Sequence, residues 1–93
     1  MMQKMIHQTA IISEKAVIGQ NVRIGAYCVI GDKVNLADNV TLHSHVVIDG
    51  NTFVGENCEV FPFAALGLAP QHTRYDGEDS QLIIGKNNVY ANM

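Results

Sequence analysis

An aliphatic side chain occupies every sixth position of this sequence from residue 6 to residue 66. The eleven positions are Ile6, Ile12, Ile18, Ile24, Ile30, Leu36, Leu42, Ile48, Val54, Val60 and Leu66. Because Ile, Leu and Val make up 24 of the 93 residues, eleven successive hits would arise by chance on the order of once per million trials. An α-helix would repeat about every 3.6 residues and a half-buried strand about every 2. A period of six instead predicts a hexapeptide-repeat solenoid, a parallel β-helix.

The other positions of each repeat fit one short strand followed by one corner. A small or β-branched residue stands two positions before the aliphatic one, in the order Ala10, Ala16, Val22, Cys28, Val34, Val40, Val46, Thr52, Cys58 and Ala64. Both residues should point inward, because alternate residues of a strand share a face. Gly often follows the aliphatic residue, where it tolerates the positive φ that a sharp corner can need. Three repeats then close a triangular coil of about 18 residues, and coils stack about 4.8 Å apart.

One long polar segment interrupts the period. Residues 68–81 contain Pro, Gly and several charges without a six-residue pattern, and the pattern resumes over residues 82–89. A segment of this length in a compact solenoid is usually functional or disordered. We therefore predict a single β-helix domain over residues 1–93, with coils over 6–67 and 82–89 and a loop over 68–81 that extends from an intact solenoid.

The end of the chain departs from the pattern. Counting in coils of eighteen predicts that Ile84 falls in the column of Ile12. Tyr90 stands where the next aliphatic residue belongs, and the chain ends at Met93 without a capping helix or a polar final coil. Because the open end of a β-helix leaves unpaired backbone groups that proteins normally cover, we interpret this end as a truncation point or an early stop.

Charge and length exclude several classes of function. The net charge is −3 and no basic run is present, which argues against a nucleic-acid partner. The longest apolar stretch, residues 60–69, is too short to span a bilayer, and no signal peptide precedes the first repeat. Cys28 and Cys58 lie thirty positions apart, on different faces of the triangle, so we expect reduced core cysteines in a cytoplasmic protein.

The histidines do not predict a metal site. His7 and His43 share a repeat position two coils apart, about 9.6 Å at the sheet spacing, which is too far for one ion with Zn–N bonds of about 2.0–2.1 Å. His43 and His45 straddle a corner, and no third ligand is evident. We therefore interpret them as surface or corner histidines and expect no metal and no cofactor, which disfavours a hexapeptide-type carbonic anhydrase. No catalytic triad spacing or phosphate-binding glycine loop stands out either.

Four segments resemble the acyl-[acyl-carrier-protein]–UDP-N-acetylglucosamine O-acyltransferases of lipid A biosynthesis, a hexapeptide-repeat family. Residues 6–12 look like the start of that family, with Gln8 where Pro is usual. Residues 44–50 match its third coil, and residues 61–67 lead into its loop. The most specific match is residues 70–78, PQHTRYDGE, which are similar to the family's Pro-Gln-Asp-Leu-Lys-Tyr-x-Gly-Glu loop. The resemblance covers nearly all of residues 6–89.

This resemblance implies a left-handed parallel β-helix that assembles as a homotrimer. It also implies transfer of a 3-hydroxyacyl group from acyl carrier protein to the glucosamine 3-hydroxyl of UDP-N-acetylglucosamine, without a metal and with a histidine as general base. None of the four histidines matches the family's catalytic one, so the resemblance assigns no catalytic residue and implies that these 93 residues alone are inactive. It assigns substrate binding to Gln71, to His72 in place of Asp, and to Arg74 in place of Lys.

Two alternatives remain open at the level of sequence. The chain could belong to another hexapeptide acyltransferase, although the Gly-Phe-Gly-Phe-like signature of the nearest N-acyltransferase is absent. It could also be a β-helix segment without catalytic function that persists as a trimer or as an assembly partner of a longer chain.

Overall fold

Short parallel strands build a triangular solenoid over residues 4–68 and 81–91, the part of the chain that this computed structural model describes. The first sheet contains β1 (Met5–Ile6), β4 (Arg23–Ile24), β7 (Thr41–Leu42), β10 (Glu59–Val60) and β13 (Val89–Tyr90). The second contains β2 (Ile11–Ile12), β5 (Val29–Ile30), β8 (Val47–Ile48) and β11 (Ala65–Leu66). The third contains β3 (Val17–Ile18), β6 (Val34–Leu36), β9 (Thr52–Val54) and β12 (Leu82–Ile84). Within these residues no helix is long and apolar enough to cross a membrane.

The strand register confirms the predicted columns of aliphatic residues. In the first sheet Ile6 pairs with Ile24, which pairs with Leu42. The same in-register stacking connects Ile12 to Leu66 through the second sheet and Ile18 to Val54 through the third. Each coil therefore contacts mainly its neighbours, as expected for a solenoid.

The core consists of the two inward positions of each repeat, as predicted. From Val22 to Leu66, and again at Ile84, these side chains are almost completely buried, whereas Ala10, Ile12, Ala16 and Ile18 are only partly buried. Toward the two ends of the solenoid the inward residues Ile6, Leu82 and Tyr90 are exposed. Thr52 is the one buried polar residue of the described part. Its hydroxyl donates a 2.7 Å hydrogen bond to the carbonyl oxygen of Asp49, so its burial leaves no unpaired polar group.

Positive φ at the corners is carried mainly by residues other than the glycines that the sequence suggested. One corner column holds asparagines with φ of 59°, 64°, 63° and 63°: Asn21, Asn39, Asn57 and Asn87. Asn tolerates this region because its short polar side chain bonds locally. Among the glycines that follow an aliphatic residue, only Gly67 has a positive φ. Gly19, Gly25 and Gly55 are needed because a Cβ would collide with the backbone of the adjacent coil, whereas a Cβ at Gly31 would meet the Asp49 side chain.

The predicted column of Ile84 is wrong. Ile84 pairs with Val54, thirty residues away rather than eighteen, so it continues the column of Ile18 and not that of Ile12. The loop therefore inserts twelve residues, two full repeats, at the corner between the second and third sheets. An insertion of two full repeats keeps the six-residue spacing of the inward residues, but it moves Ile84 to a different sheet. Tyr90 pairs with Val60, which confirms that it takes an aliphatic position.

Both cysteines are buried and free, as predicted. Cys28 precedes a strand of the second sheet and Cys58 precedes a strand of the first, so they lie on different faces. The Cys28 thiol donates to the carbonyl oxygen of His43, and the Cys58 thiol donates to that of Gly85, both at 2.9 Å. Burial raises the pKa of Cys28, and hydrogen bonds from the backbone of Val46, Gly25 and His45 oppose this only in part.

Candidate functional site

The three predicted substrate-binding residues lie in a segment outside the described part of the chain. Gln71, His72 and Arg74 belong to residues 69–80, so their assignment stays a prediction. The structure does describe both ends of the loop and the coil surface from which it leaves. The described part of the candidate site therefore consists of the loop base and the corner next to it.

The loop base rests on the corner of the coil below, residues 49–52. Gly67, at the start of the loop, has φ of +74°, and a Cβ there would collide with the Asp49 carbonyl oxygen and the Thr52 hydroxyl. Gly50, with φ of +67°, packs equally closely against the Gly67 carbonyl oxygen. On the returning side the Leu82 N–H donates a 2.9 Å hydrogen bond to the Asn51 carbonyl oxygen. Backbone contacts on both sides thus fix the two ends of the loop on a rigid coil.

An open depression of about 500 Å³ spans this corner and the equivalent corner of the coil below. It is lined by Gly31, Asp32, Lys33, Asp49 and Gly50. Asp32 accepts a hydrogen bond from the Ser13 hydroxyl, and Asp49 accepts one from the Gly50 N–H at 2.8 Å. The surface of this corner is therefore polar and carries charges of both signs, which suits hydroxyl-rich or charged ligands.

A histidine–carboxylate pair lies on the outer face of the first sheet. His43 Nε2 is 2.7 Å from Glu59 Oε2, and both side chains are about two-fifths exposed, at 39% and 41%. The His43 ring also meets Phe61 edge-on, with centroids 4.9 Å apart. The contact with the carboxylate holds the His43 ring in place, and the pair lies on a different face from the loop base.

A three-ring ladder occupies the corner before the second sheet. His45 lies between Tyr27, at a centroid distance of 5.2 Å, and Phe63, at 5.0 Å. All three residues have positive φ, at 60°, 59° and 67° for Tyr27, His45 and Phe63. All three are also exposed. These distances are in the range of favourable ring–ring contacts.

The sequence predicted surface or corner histidines, and neither cluster was predicted. Tyr27, His45 and Phe63 are spaced by eighteen, so the coil length alone would have found the ladder. His43 and Glu59 are sixteen residues apart, which is not a multiple of the repeat. The sequence therefore does not show that they are in contact until the strand register is known. In the described ranges no group of three or more His, Cys, Asp or Glu side chains could hold a metal ion.

Comparison with protein families and curated relatives places these features in context. Residues 15–50 match the family model described as bacterial transferase hexapeptide (six repeats). An acyl-[acyl-carrier-protein]–UDP-N-acetylglucosamine O-acyltransferase from Thermodesulfovibrio yellowstonii is 49% identical over 84 residues, which are 90% of this chain and 33% of that relative. One from Helicobacter pylori is 60% identical over 40 residues, 43% of this chain and 15% of that relative.

A solved structure has a fold similar to that of this chain. The crystal structure of a UDP-N-acetylglucosamine acyltransferase matches with a TM-score of 0.88 at 54% identity, over 94% of this chain and 34% of that one. The solenoid is accordingly a left-handed parallel β-helix, the hand that the resemblance implied. The chain spans about a third of the length of the relatives that it matches over most of its own length.

Proposed function

The chain belongs to the UDP-N-acetylglucosamine acyltransferase family, and from that premise we propose that it carries the nucleotide-sugar loop of such an enzyme. The reaction would transfer a 3-hydroxyacyl group from acyl carrier protein to the 3-hydroxyl of UDP-N-acetylglucosamine, the first step of lipid A biosynthesis. The sugar oxygen attacks the thioester carbonyl, the C–S bond breaks, and a general base takes the hydroxyl proton.

The observation that carries this proposal is the anchoring of the loop. Gly67 and Leu82 hold its two ends on the corner of residues 49–52, and the intervening segment has the most family-specific sequence of the chain. A segment that is clamped at both ends presents its side chains from a fixed base, which lowers the ordering cost of ligand binding. The polar depression that shares Asp49 and Gly50 with the loop base suits a sugar nucleotide.

Each of the three predicted loop residues has a role that follows from its chemistry. The Gln71 amide can both donate to and accept from a sugar hydroxyl. His72 can donate where the family's carboxylate only accepts, so we expect it to contact a different atom of the ligand. The Arg74 guanidinium suits the diphosphate, which it can bind in a bidentate manner.

The proposal extends to assembly and location. We propose that the chain forms a homotrimer with its solenoid axes side by side, and that acyl carrier protein and UDP-N-acetylglucosamine meet it in the cytoplasm. None of His7, His43, His45 and His72 corresponds to the family's catalytic histidine. The proposal therefore gives these residues no proton-transfer role and assigns no catalytic residue.

Titration with UDP-N-acetylglucosamine, followed by calorimetry, tests the proposal. Gln71→Ala and Arg74→Ala should each weaken binding about tenfold, since each removes about one hydrogen bond to a charged or polar group. The matched controls Gln8→Ala and Arg23→Ala change exposed residues elsewhere on the solenoid and should leave binding unchanged. Absent binding, or equal loss in the controls, would refute the proposal. Comparable affinity for a different nucleotide sugar would instead indicate another hexapeptide acyltransferase.

A further inference from the structure

Thr52 places a hydroxyl where the rest of the described core has none. It occupies the inward small-residue position of its repeat and is 1% exposed. The other buried residues at this repeat position carry no hydroxyl: Val22, Cys28, Val34, Val40, Val46, Cys58 and Ala64. Valine has a side chain of the same branched shape and would keep the core apolar, so the hydroxyl of Thr52 needs a specific reason.

The reason lies in the corner of residues 49–52, to which both ends of the loop are attached. The Thr52 hydroxyl donates a 2.7 Å hydrogen bond to the carbonyl oxygen of Asp49, three residues earlier in the chain. Threonine side chains can bond to nearby backbone groups in this way, and this bond closes the corner from the inside of the solenoid. The position of the Asp49 carbonyl is therefore tied to that of the Thr52 side chain.

Gly67, which precedes the loop, contacts both partners of this hydrogen bond. A Cβ at Gly67 would come within 2.2 Å of the Asp49 carbonyl oxygen and within 2.2 Å of the Thr52 hydroxyl oxygen. The glycine Cα therefore packs directly against the bonded pair. Because closely packed groups transmit small displacements, a shift of the carbonyl or of the hydroxyl changes the surface on which Gly67 rests.

Leu82, which follows the loop, is attached to the same corner. Its N–H donates a 2.9 Å hydrogen bond to the carbonyl oxygen of Asn51, and Leu82 pairs with Thr52 in the register of the third sheet. Thr52 thus adjoins the contacts of both residues that flank the loop. Its own side chain is too deeply buried to touch a ligand at the surface.

We propose that Thr52 is a positioning residue for sugar-nucleotide binding. Its hydroxyl holds the two flanking residues, Gly67 and Leu82, at a fixed spacing and thereby raises the affinity of the loop for UDP-N-acetylglucosamine. A segment between fixed ends loses less conformational freedom on binding than one whose ends move independently, and binding residues are generally held by neighbours that do not touch the ligand. This role rests on the proposed function, because Thr52 acts only through the loop.

Calorimetric titration of three variants with UDP-N-acetylglucosamine tests this role. Thr52→Val removes the hydroxyl and suits the column, since Val34 pairs with Thr52 in the coil below. It should raise the dissociation constant about tenfold, the effect of about one lost hydrogen bond. Thr52→Ser keeps the hydroxyl and loses a buried methyl group, so it should bind like the native chain but melt at a lower temperature. The matched control Thr41→Val makes the same chemical change at a half-buried position of the first sheet and should leave the affinity unchanged.

The opposite effects of valine and serine separate positioning from folding. A hydroxyl that serves only the fold would give Thr52→Val a lower melting temperature with an unchanged dissociation constant, which would overturn the proposed role. Equal losses of affinity in Thr52→Val and Thr52→Ser would also overturn it, because packing and not the hydroxyl would then be responsible.

Hydrogen exchange measured without ligand gives a second, independent readout. The Leu82 amide should exchange faster in Thr52→Val than in Thr52→Ser, and equal rates would contradict the role of the hydroxyl. The native chain distinguishes the two proposals. If it does not bind UDP-N-acetylglucosamine, both fail, whereas binding that Thr52→Val leaves unchanged refutes only the role of Thr52.

Discussion

Gly67, where the chain leaves the second sheet, packs against the carbonyl oxygen of Asp49 in the coil below so closely that no side chain fits between them. Its φ of +74° lies in the left-handed region, which disfavours any residue with a side chain. The close approach and the left-handed conformation together fix the point at which the loop begins. A single backbone contact thus couples the most regular part of the fold to the segment that we propose binds the substrate.

Gly67→Ala should destabilise the protein and disturb the loop base. The Cβ would collide with Asp49 and Thr52 in a backbone conformation that Ala disfavours, and such local strain costs about 1–3 kcal/mol. Urea unfolding of the variant measures this loss. Gly85→Ala is the matched control, because a Cβ there meets only Asn88 Nδ2 at an ordinary 3.6 Å. Equal unfolding midpoints for the two variants would contradict this account of Gly67.

The six-residue period predicted the greater part of the fold because it encodes which side chains point inward. Val22, Ile24 and Leu66 are as buried as their positions required. The period could not predict the column of Ile84, since an insertion of two whole repeats preserves the phase and shifts only the face. Sequence likewise cannot separate a glycine that needs positive φ, such as Gly67, from one such as Gly25 that is required by the approach of the next coil.

The candidate site was less predictable than the fold. Gln71 and Arg74 were assigned through the resemblance alone, because a loop without a period gives no positional information. The contact between His43 and Glu59 depends on the strand register, which decides which residues of adjacent coils lie side by side. The ring ladder was accessible in principle, since its members are spaced by one coil, but nothing in an isolated aromatic residue distinguishes a corner from a strand.

Asn39→Ala should lower the free energy of unfolding by about 1–2 kcal/mol. Asn39 has φ of 64°, a conformation that Ala disfavours by about this amount. Its side-chain oxygen also accepts a 2.8 Å hydrogen bond from the Asn21 amide. Asn35→Ala is the matched control, because Asn35 lies in a strand without positive φ. If Asn35→Ala costs as much in thermal unfolding, the corner conformation is not the source of the effect.

Cys28 should make stability depend on alkaline pH. Burial raises the pKa of its thiol above the ordinary value, so the folded state keeps the proton where the unfolded state loses it. Its contribution is fully present below the unfolded thiol pKa and is lost as the pH rises through the folded one. Melting temperatures measured from pH 7 upward should fall more steeply for the native chain than for Cys28→Ala. Parallel curves would contradict the prediction.

The central claim is that these residues provide assembly and sugar-nucleotide binding but not proton abstraction. The most direct test incubates the 93-residue chain with 3-hydroxyacyl carrier protein and UDP-N-acetylglucosamine, and measures both product and mass in solution on one sample. We predict a trimer that forms no acylated product. Turnover would contradict the claim and would place the general base within this chain, with His72 as the first candidate. A monomer would contradict the proposed homotrimer.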